Sequence, residues 1–265
     1  MDGTKVGEAS GLVASTKHPG ILWTHNDRLS RQPNIKGRNK IYALDATSGD
    51  IVADFVLDGA SNVDWEDIAT HNGFIYVGDV GDNYKTRRSI TIYRVPEPDV
   101  LVGGTTRGQK RISDWDRLNL KFPGGDAHNV EAFVLDPISE RFYLLTKQGN
   151  RMYTTPRVWG LGNDNMTLRR AGFIREVPGD VIVGADISPD GTELLVKYYD
   201  EIRYYCRDVN VSLEETLSRH YAVVLDYDPE PKGESIAWSE DGLYTLSEAK
   251  MEATVPLYFY PKSTC

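Results

Sequence analysis

The stretch from residue 66 to residue 83 reads Glu66-Asp67-Ile68-Ala69, then Thr70-His71-Asn72-Gly73, then Phe74-Ile75-Tyr76-Val77 and finally Gly78-Asp79-Val80-Gly81-Asp82-Asn83. Its order is an acidic residue, a short apolar strand, a tight turn, a second strand and a polar cluster. β-Branched and aromatic runs separated by an Asn-Gly pair are typical of antiparallel hairpins. The stretch therefore predicts two paired strands with polar groups at one end of the pair.

This order of features recurs along the chain. The other units begin at Glu8, Glu131, Asp186 and Glu234, so successive leading acids are 58, 65, 55 and 48 residues apart. Repeats of about 40 to 50 residues with four strands each indicate a β-propeller, and insertions lengthen a blade. The sequence predicts one all-β domain over residues 1–265, a propeller with five four-stranded blades. A sixth blade, hidden between Pro96 and Pro123, remains the alternative.

The ends of the chain are expected to close the ring. After the fifth unit the sequence shows only one more strand, from Val255 to Tyr260, which leaves the last blade one strand short. Residues 3–7 precede the first unit, and we expect them to supply the missing strand, so that both termini share one sheet. Helical periodicity is scarce, and the best helical segment, Val211 to His220, is short and polar.

Composition disfavours nucleic-acid binding and a membrane-spanning segment. The net charge is -9 and the pI is about 5.1, which disfavours binding to a phosphate backbone. No apolar run reaches the ~18 residues of a membrane span. Paired cysteines, Cys206 and Cys265, and glycosylation acceptors at Asn165 and Asn210 predict a secreted, disulfide-bonded glycoprotein. Reduced thiols and chance triplets remain the alternative.

The propeller predicts where the polar residues meet. The start of an innermost strand and the end of its antiparallel neighbour lie at the same rim. We therefore expect the leading acids to converge around the axis as a metal site, with a set of polar ligand-binding residues beside them. The leading acids are Glu8, Glu66, Glu131, Asp186 and Glu234, and the polar set is Asn26, Asp79, Asp82, Asn83, Lys147, Lys197 and Glu248.

Converging carboxylates need compensation because like charges raise one another's pKa. Oxygen ligands without cysteine favour a hard cation, and Ca²⁺ is the cofactor that we expect. Two alternatives stay open. Lys147 and Lys197 could neutralise the acids through salt bridges, and repeated acids could bond backbone amides for purely structural reasons.

A catalytic role, if there is one, falls on the histidines of the polar clusters. His25 or His128 could act as a general base, oriented by Asp27 or Glu131. A hydrogen-bonded structural histidine is the alternative for each. The sequence contains no nucleophile elbow, P-loop, dinucleotide fingerprint or zinc motif, which disfavours serine hydrolases, nucleotide enzymes and zinc proteases.

Six strings resemble those of a largely uncharacterised group of exported β-propeller proteins. They are the segments that begin at Trp23, Asn62, Tyr76, Tyr93, Gly184 and Gly233, and the resemblance covers nearly the whole chain. A looser similarity connects the axial acids to calcium-dependent propeller hydrolases of the gluconolactonase and paraoxonase kind and to phytase-like propellers, which hold a metal on the axis.

Two functions are compatible with such an acidic face, and the looser similarity implies the first of them. The first is a calcium-dependent hydrolase or lyase acting on a small or carbohydrate-like substrate. The second is a non-catalytic module that binds a protein, glycan or small ligand on the same face. Fold alone does not decide between them.

Overall fold

A computed structural model describes residues 1–27, 39–100, 110–175, 181–219, 223–249 and 254–262. Its strands form five small sheets, and each sheet is one blade of a β-propeller. The innermost strands of the five blades pack against one another in sequence, and the first also packs against the last, which closes the ring. Within the described residues, no helix has the length and apolar character needed to cross a membrane.

The first two blades each contain five strands. Blade 1 consists of β1 (Ala9–Ala14), β2 (Ile21–Asn26), β3 (Lys40–Asp45), β4 (Ile51–Leu57) and, paired parallel to β4, β8 (Lys110–Ile112). Blade 2 consists of β5 (Trp65–His71), β6 (Phe74–Asp79), β7 (Ile90–Pro96), β9 (Asp116–Lys121) and, paired parallel to β9, β13 (Asp164–Thr167).

The next two blades each have four strands. Blade 3 consists of β10 (Val130–Asp136), β11 (Arg141–Thr146), β12 (Arg151–Thr154) and β14 (Arg169–Phe173), and a 3-10 turn (Pro123–Gly125) precedes it. Blade 4 consists of β15 (Ile182–Ile187), β16 (Glu193–Tyr198), β17 (Ile202–Cys206) and β18 (Val223–Leu225), with the helix α1 (Leu213–Ser218) between its last two strands. The hydroxyl of Ser212 caps this helix by accepting the Glu215 N–H.

Blade 5 has three strands among the described residues: β19 (Gly233–Ser239), β20 (Gly242–Ser247) and β21 (Leu257–Pro261). The prediction that residues 3–7 form its fourth strand is wrong. That segment forms turns, and the two ends of the chain meet through an isolated bridge between Asp2 and Thr254 and through backbone bonds that join Met1 to Val255 and Gly7 to Ala249. Residues 3–7 hold two glycines and no alternating apolar pattern, so they lack the signal of a strand.

Each blade from the second to the fourth covers the outer edge of the blade before it. The segment between the third and fourth strands of blade 2 contributes β8 to blade 1, and the matching segment of blade 3 contributes β13 to blade 2. In blade 4 the same segment forms α1, which packs on β14 of blade 3 through Leu213 and Leu217. These additions cover strand edges that would otherwise expose unpaired backbone groups.

Most of the strands expected from the sequence are confirmed. The two strands expected in the stretch from residue 66 to residue 83 correspond to β5 and β6, the strand expected from Val255 to Tyr260 overlaps β21, and the best helical segment contains α1. In the described part of the stretch from Pro96 to Pro123, the strands β8 and β9 belong to blades 1 and 2, so five blades is the correct number. Cys206 ends β17, but Cys265 lies outside the described residues, so the disulfide stays a prediction.

A buried ion pair joins blades 3 and 4. Arg207, just after β17, forms a bidentate pair with Asp136 at the end of β10, at 2.6 and 3.3 Å. The side chains of Asp136 and Arg207 are 0% and 3% exposed. Removing one partner would leave the other charge buried without compensation.

We expect Arg207→Met to lower the free energy of unfolding by about 3 to 5 kcal/mol, because Asp136 would remain buried without its cation. The matched control is Arg219→Met, which removes an exposed arginine paired with Glu215 and should cost less than about 1 kcal/mol. Urea denaturation measures both. Equal losses in the two variants would show that the blade junction does not depend on this pair.

Candidate functional site

A β-bulge at the start of the innermost strands directs side chains toward the axis. In blades 2, 3 and 5 the pairing register of the first two strands shifts at Glu66, Glu131 and Glu234. In blade 4 the same shift falls at Val183, and in blade 1 it falls at Ser10 and Gly11. The extra residue of a bulge is left out of the ladder, so its side chain is turned away from the direction that strand alternation would give it.

Three of these bulge residues form a buried acidic triad. One carboxylate oxygen from each of Glu66, Glu131 and Glu234 lies within 4.8 Å of the others, and all three residues are buried. A second group overlaps the triad at Glu66 and adds Asp27 and Asp64, again within 4.8 Å and partly exposed. The axial rim is therefore defined by Asp27, Asp64, Glu66, Glu131 and Glu234.

The loop after β6 leaves space for Glu66. Gly81 lies directly against the carboxylates of Glu66 and Asp64, and a Cβ atom at this position would collide with both. The backbone N–H of Gly81 also donates to the carbonyl of Asp64 at 3.1 Å. A glycine is needed here because only a residue without a side chain permits this approach.

Neutral and cationic donors surround the triad. The hydroxyl of Ser10 donates to Glu66 Oε2 at 3.0 Å, and the hydroxyl of Tyr199 donates to Glu234 Oε1 at 2.6 Å. Glu131 receives the Asn129 amide at 2.6 Å and the Lys147 ammonium at 3.0 Å. Compensation is thus uneven, since among the described residues Glu131 receives a cation whereas Glu66 receives the hydroxyl of Ser10.

The pKa values follow from this arrangement. Burial, followed by the charges of Glu131, Asp27 and Asp64, raises the pKa of Glu66 well above its ordinary value. Burial also raises the pKa of Glu131, and although Lys147 opposes the shift the value reaches about 7. Burial raises the pKa of Glu234, against the hydrogen bond from Tyr199. The ionised triad is therefore unstable without a proton or a cation.

The structure corrects the expected ring of five acids. Glu8 lies one residue before β1, is only partly buried and has Glu248 and Lys232 as neighbours; the bulge position of blade 1 belongs to Ser10. Asp186 lies three residues after the bulge of blade 4, and its oxygens accept the backbone N–H groups of Ile187 and Trp238 at 2.8 and 2.7 Å. Neither residue belongs to the acidic groups found among the described residues.

Asp186 and Asp67 bind backbone amides of the neighbouring blade, which is the structural alternative for the repeated acids. Asp67 accepts the N–H of Phe133 from the neighbouring blade at 2.8 Å, as Asp186 accepts that of Trp238. Each carboxylate therefore satisfies a backbone donor on the open edge of the next innermost strand, where no ladder partner exists. Burial raises the pKa of Asp186 to about 7 and that of Asp67 well above its ordinary value.

The two expected lysines lie in different environments. Lys147 directly follows β11 and reaches Glu131, as the salt-bridge alternative requires. In blade 4 the residue equivalent to Lys147 is Tyr199. Lys197 lies two residues before Tyr199, inside β16. It is fully buried against Tyr227, with its ammonium 2.5 Å from the phenol oxygen, and burial lowers its pKa to about 8.

The remaining expected ligand-binding residues hold loops at the rim. Asn26 bonds the backbone of Glu8 and Lys5. Asp79 accepts the Asp64 N–H and pairs with Arg87, and Asp82 accepts the N–H groups of Thr86 and Arg87. Asn83 accepts from Asn129, and Glu248 pairs with Lys232. Ligand binding by these side chains stays a prediction.

Neither expected histidine contacts the triad. His25 is fully buried, its ring meets Trp65 edge-on, and burial lowers its pKa to about 4. His128 stacks with Phe122 and Tyr153 and shares a hydrogen bond of 2.8 Å with the Tyr153 hydroxyl. The hydrogen bond of His128 matches the structural alternative, whereas neither ring nitrogen of His25 has a hydrogen-bond partner among the described residues. Asp27, the third expected catalytic residue, lies beside Glu66.

Sequence reasoning missed four residues of the site: Ser10, Asp64, Asn129 and Tyr199. Asp64 and Asn129 each stand two residues before a bulge glutamate, directly ahead of β5 and β10. Aligning the units on those glutamates would have found this position. Tyr199 gives no comparable signal, because an aromatic residue at the end of a strand is usually part of the core.

No protein-family model and no curated protein matches the chain by sequence. The predicted relation to exported propellers therefore stays a prediction. Solved structures do match at the level of the backbone. They include a luciferin-regenerating enzyme, with 12% identity over 94% of this chain and 87% of that one, at a TM-score of 0.44.

Two other matching structures are a gluconolactonase from Xanthomonas campestris and an auxiliary nutrient binding protein from Bacteroides thetaiotaomicron. The gluconolactonase has 13% identity over 96% of this chain and 71% of that one, at a TM-score of 0.49. The nutrient binding protein has 10% identity over 97% of this chain, which spans 53% of that one, at a TM-score of 0.47. Similarity this low carries no information on activity.

The raised pKa of Glu131 predicts a pH-dependent stability. Between pH 4.5 and about pH 7 the folded state keeps a proton that the unfolded chain has lost, so the free energy of unfolding should fall as the pH rises through this window. Urea denaturation in chelator from pH 5 to pH 7.5 measures the slope. Glu131→Gln should flatten it, and a slope that this variant leaves unchanged would disprove the assignment.

Proposed function

We propose that the axial rim holds a hard divalent cation, Ca²⁺, and that the protein is a cation-dependent hydrolase or lyase of small, carbohydrate-like molecules. The observation that carries the proposal is the pair of overlapping acidic groups that share the buried Glu66. Among the described residues, Lys147 pairs with the carboxylate of Glu131. Burial and the neighbouring acids raise the pKa of Glu66, and a bound cation would relieve this repulsion.

The residues present fit such a cation. All donor atoms are carboxylate oxygens, which hard cations prefer, and ligands at about 2.3 to 2.6 Å from one Ca²⁺ lie at most ~5 Å apart. The separations within 4.8 Å meet this limit. We assign the cation to Asp27, Asp64 and Glu66, because these three carboxylates form one of the two groups and two of them are partly exposed, which gives an ion access from solvent. Bound there, it would supply Lewis-acid polarisation of a carbonyl or phosphoryl oxygen.

Proton transfer then falls to Glu131. This carboxyl lies next to the assigned cation site, and its pKa of about 7 suits a group that takes and returns a proton near neutral pH. Asn129 and Lys147 fix its two oxygens. His25, with a pKa of about 4 and a buried ring, is not suited to this role. Secretion, glycosylation and the Cys206–Cys265 disulfide remain predictions alongside this proposal.

One observation favours the second candidate function. The salt bridge from Lys147 to Glu131 is the alternative form of compensation, in which the rim is a charged recognition surface without a metal. In that case the structure would depend on the lysine rather than on an ion. The two candidates therefore differ in how they respond to loss of Lys147.

We expect Ca²⁺ at about 100 times its Kd to raise the melting temperature by on the order of 5 to 10 °C, because only the folded state assembles the ligands. Glu66→Gln should abolish most of this shift, whereas Asp226→Asn, an exposed acid on the other side of blade 4, should not change it. Calcium-dependent hydrolysis of a lactone panel should disappear with Glu66→Gln. A melting temperature that does not respond to calcium would refute the cation site.

Lys147→Met separates the two functions. If the rim holds a cation, loss of the competing ammonium should strengthen calcium binding, because Glu131 then adds uncompensated negative charge. Titration calorimetry measures this change, with Arg219→Met as an exposed basic control. A variant that unfolds at lower temperature and still binds no calcium would support the recognition surface instead.

A further inference from the structure

The opposite face of the propeller contains a large cavity. The axial rim lies at the start of the innermost strands, and the cavity lies at their other end. All five inner hairpins border it, through residues 15–17 and 19–20, residues 70–73, Leu135 and Pro137, residues 187–189 and residues 239–241. Its volume is about 880 Å³, within the range of ~300 to 1,000 Å³ typical of small-molecule sites. The axial rim and this cavity are therefore separate parts of the molecule.

The cavity walls are partly apolar and partly aromatic. Blades 1 to 3 contribute aliphatic side chains, which include Val13, Leu22 and Leu135. Blade 5 contributes Trp238 and Tyr244. The Trp238 ring is held by a hydrogen bond from its Nε1 to Glu193 at 2.6 Å, and the ammonium of Lys262, which pairs with Glu193, lies 5.5 Å from the ring centroid. The ring is therefore a fixed aromatic surface that already has one cation near it. Such walls suit a ligand with an apolar body.

The acidic groups of the cavity have no cationic partners among the described residues. Asp186 lies in the wall, is 6% exposed, and accepts the neutral backbone N–H groups of Ile187 and Trp238. Glu240 and Asp241 lie at the mouth, in the hairpin between β19 and β20, and their carboxylates form no bond with a described side chain. The hydroxyl of Tyr244 is close to Asp241 and is likewise without a described partner.

The basic groups of the same cavity are already engaged. Lys17 forms an ion pair with Asp99 at 2.6 Å and also donates to the carbonyl of Glu97. His71 shares a hydrogen bond of 2.9 Å with Asn72, and burial lowers its pKa, so the ring is neutral near pH 7. The unmatched charge of the cavity is therefore negative and concentrated on blades 4 and 5.

We propose that this cavity binds a small organic cation, with its ammonium or guanidinium group directed toward Asp186, Glu240 and Asp241 and its apolar body against Trp238 and the aliphatic wall. A cation beside an aromatic ring and a carboxylate gains from both contacts. This site goes beyond the function proposed for the axial rim and does not depend on it.

Benzylamine and benzyl alcohol test the proposal as a charged probe and its neutral counterpart. We expect benzylamine to bind more tightly at pH 7 and low salt, measured by protein NMR with shifts in the hairpins of the cavity. The double variant Glu240→Gln/Asp241→Asn should weaken benzylamine by roughly tenfold and leave benzyl alcohol unchanged. Both residues are exposed, so the fold should tolerate these changes.

Two controls keep the result interpretable. Asp226→Asn removes an exposed acid outside the cavity, and Glu66→Gln removes an acid of the axial rim; neither should alter benzylamine binding. The proposal is overturned if the two probes bind equally, or if the hairpin variant keeps the benzylamine affinity of the wild type. Loss of benzylamine binding in Glu66→Gln alone would place the cation at the rim and would also overturn it.

Discussion

Mutual repulsion among buried carboxylates is the constraint on which the site depends. Glu66, Glu131 and Glu234 are held within 4.8 Å of one another by three backbone bulges, in a place from which solvent is largely excluded. The scaffold fixes these bulges, since each belongs to an innermost strand that is paired on one side and packed between two blades. The acids therefore cannot separate, and the protein must provide a proton, a lysine or a cation.

Much of the fold could be predicted from the sequence, because strand alternation and turn pairs are local signals. Bulges are not local in this sense. The sequence gives no sign that the ladder shifts at Val183, so Asp186 was aligned with the bulge glutamates although it lies three positions farther along its strand. For the same reason the repeat in the sequence places Glu8 at the bulge position of blade 1, which Ser10 occupies in the structure.

The donated strands show a second limit of sequence reasoning. β8 (Lys-Arg-Ile) and β13 (Asp-Asn-Met-Thr) have no alternating apolar pattern in the sequence. Each nevertheless pairs with the preceding blade, because the outer edge of that blade is available for pairing. Whether the outer edge of a blade is available for pairing depends on how the blades assemble into the ring, which a local stretch of sequence does not encode. The positions of Lys147 and Lys197 also depend on the assembled ring, although both lysines come near the end of an apolar strand. Lys147 lies past the end of its strand and reaches the axial acid Glu131, whereas Lys197 lies inside its strand and contacts Tyr227.

The central claim is that a cation shares the rim with Glu66. The most direct measurement is a crystal structure grown with Ca²⁺ and recorded at long wavelength, where calcium scatters anomalously. If a cation is bound at the rim, we expect an anomalous peak about 2.3 to 2.6 Å from carboxylate oxygens of Asp27, Asp64 and Glu66. A map without such a peak, with the Lys147 ammonium still on Glu131 and no ion beside Glu66, would contradict it.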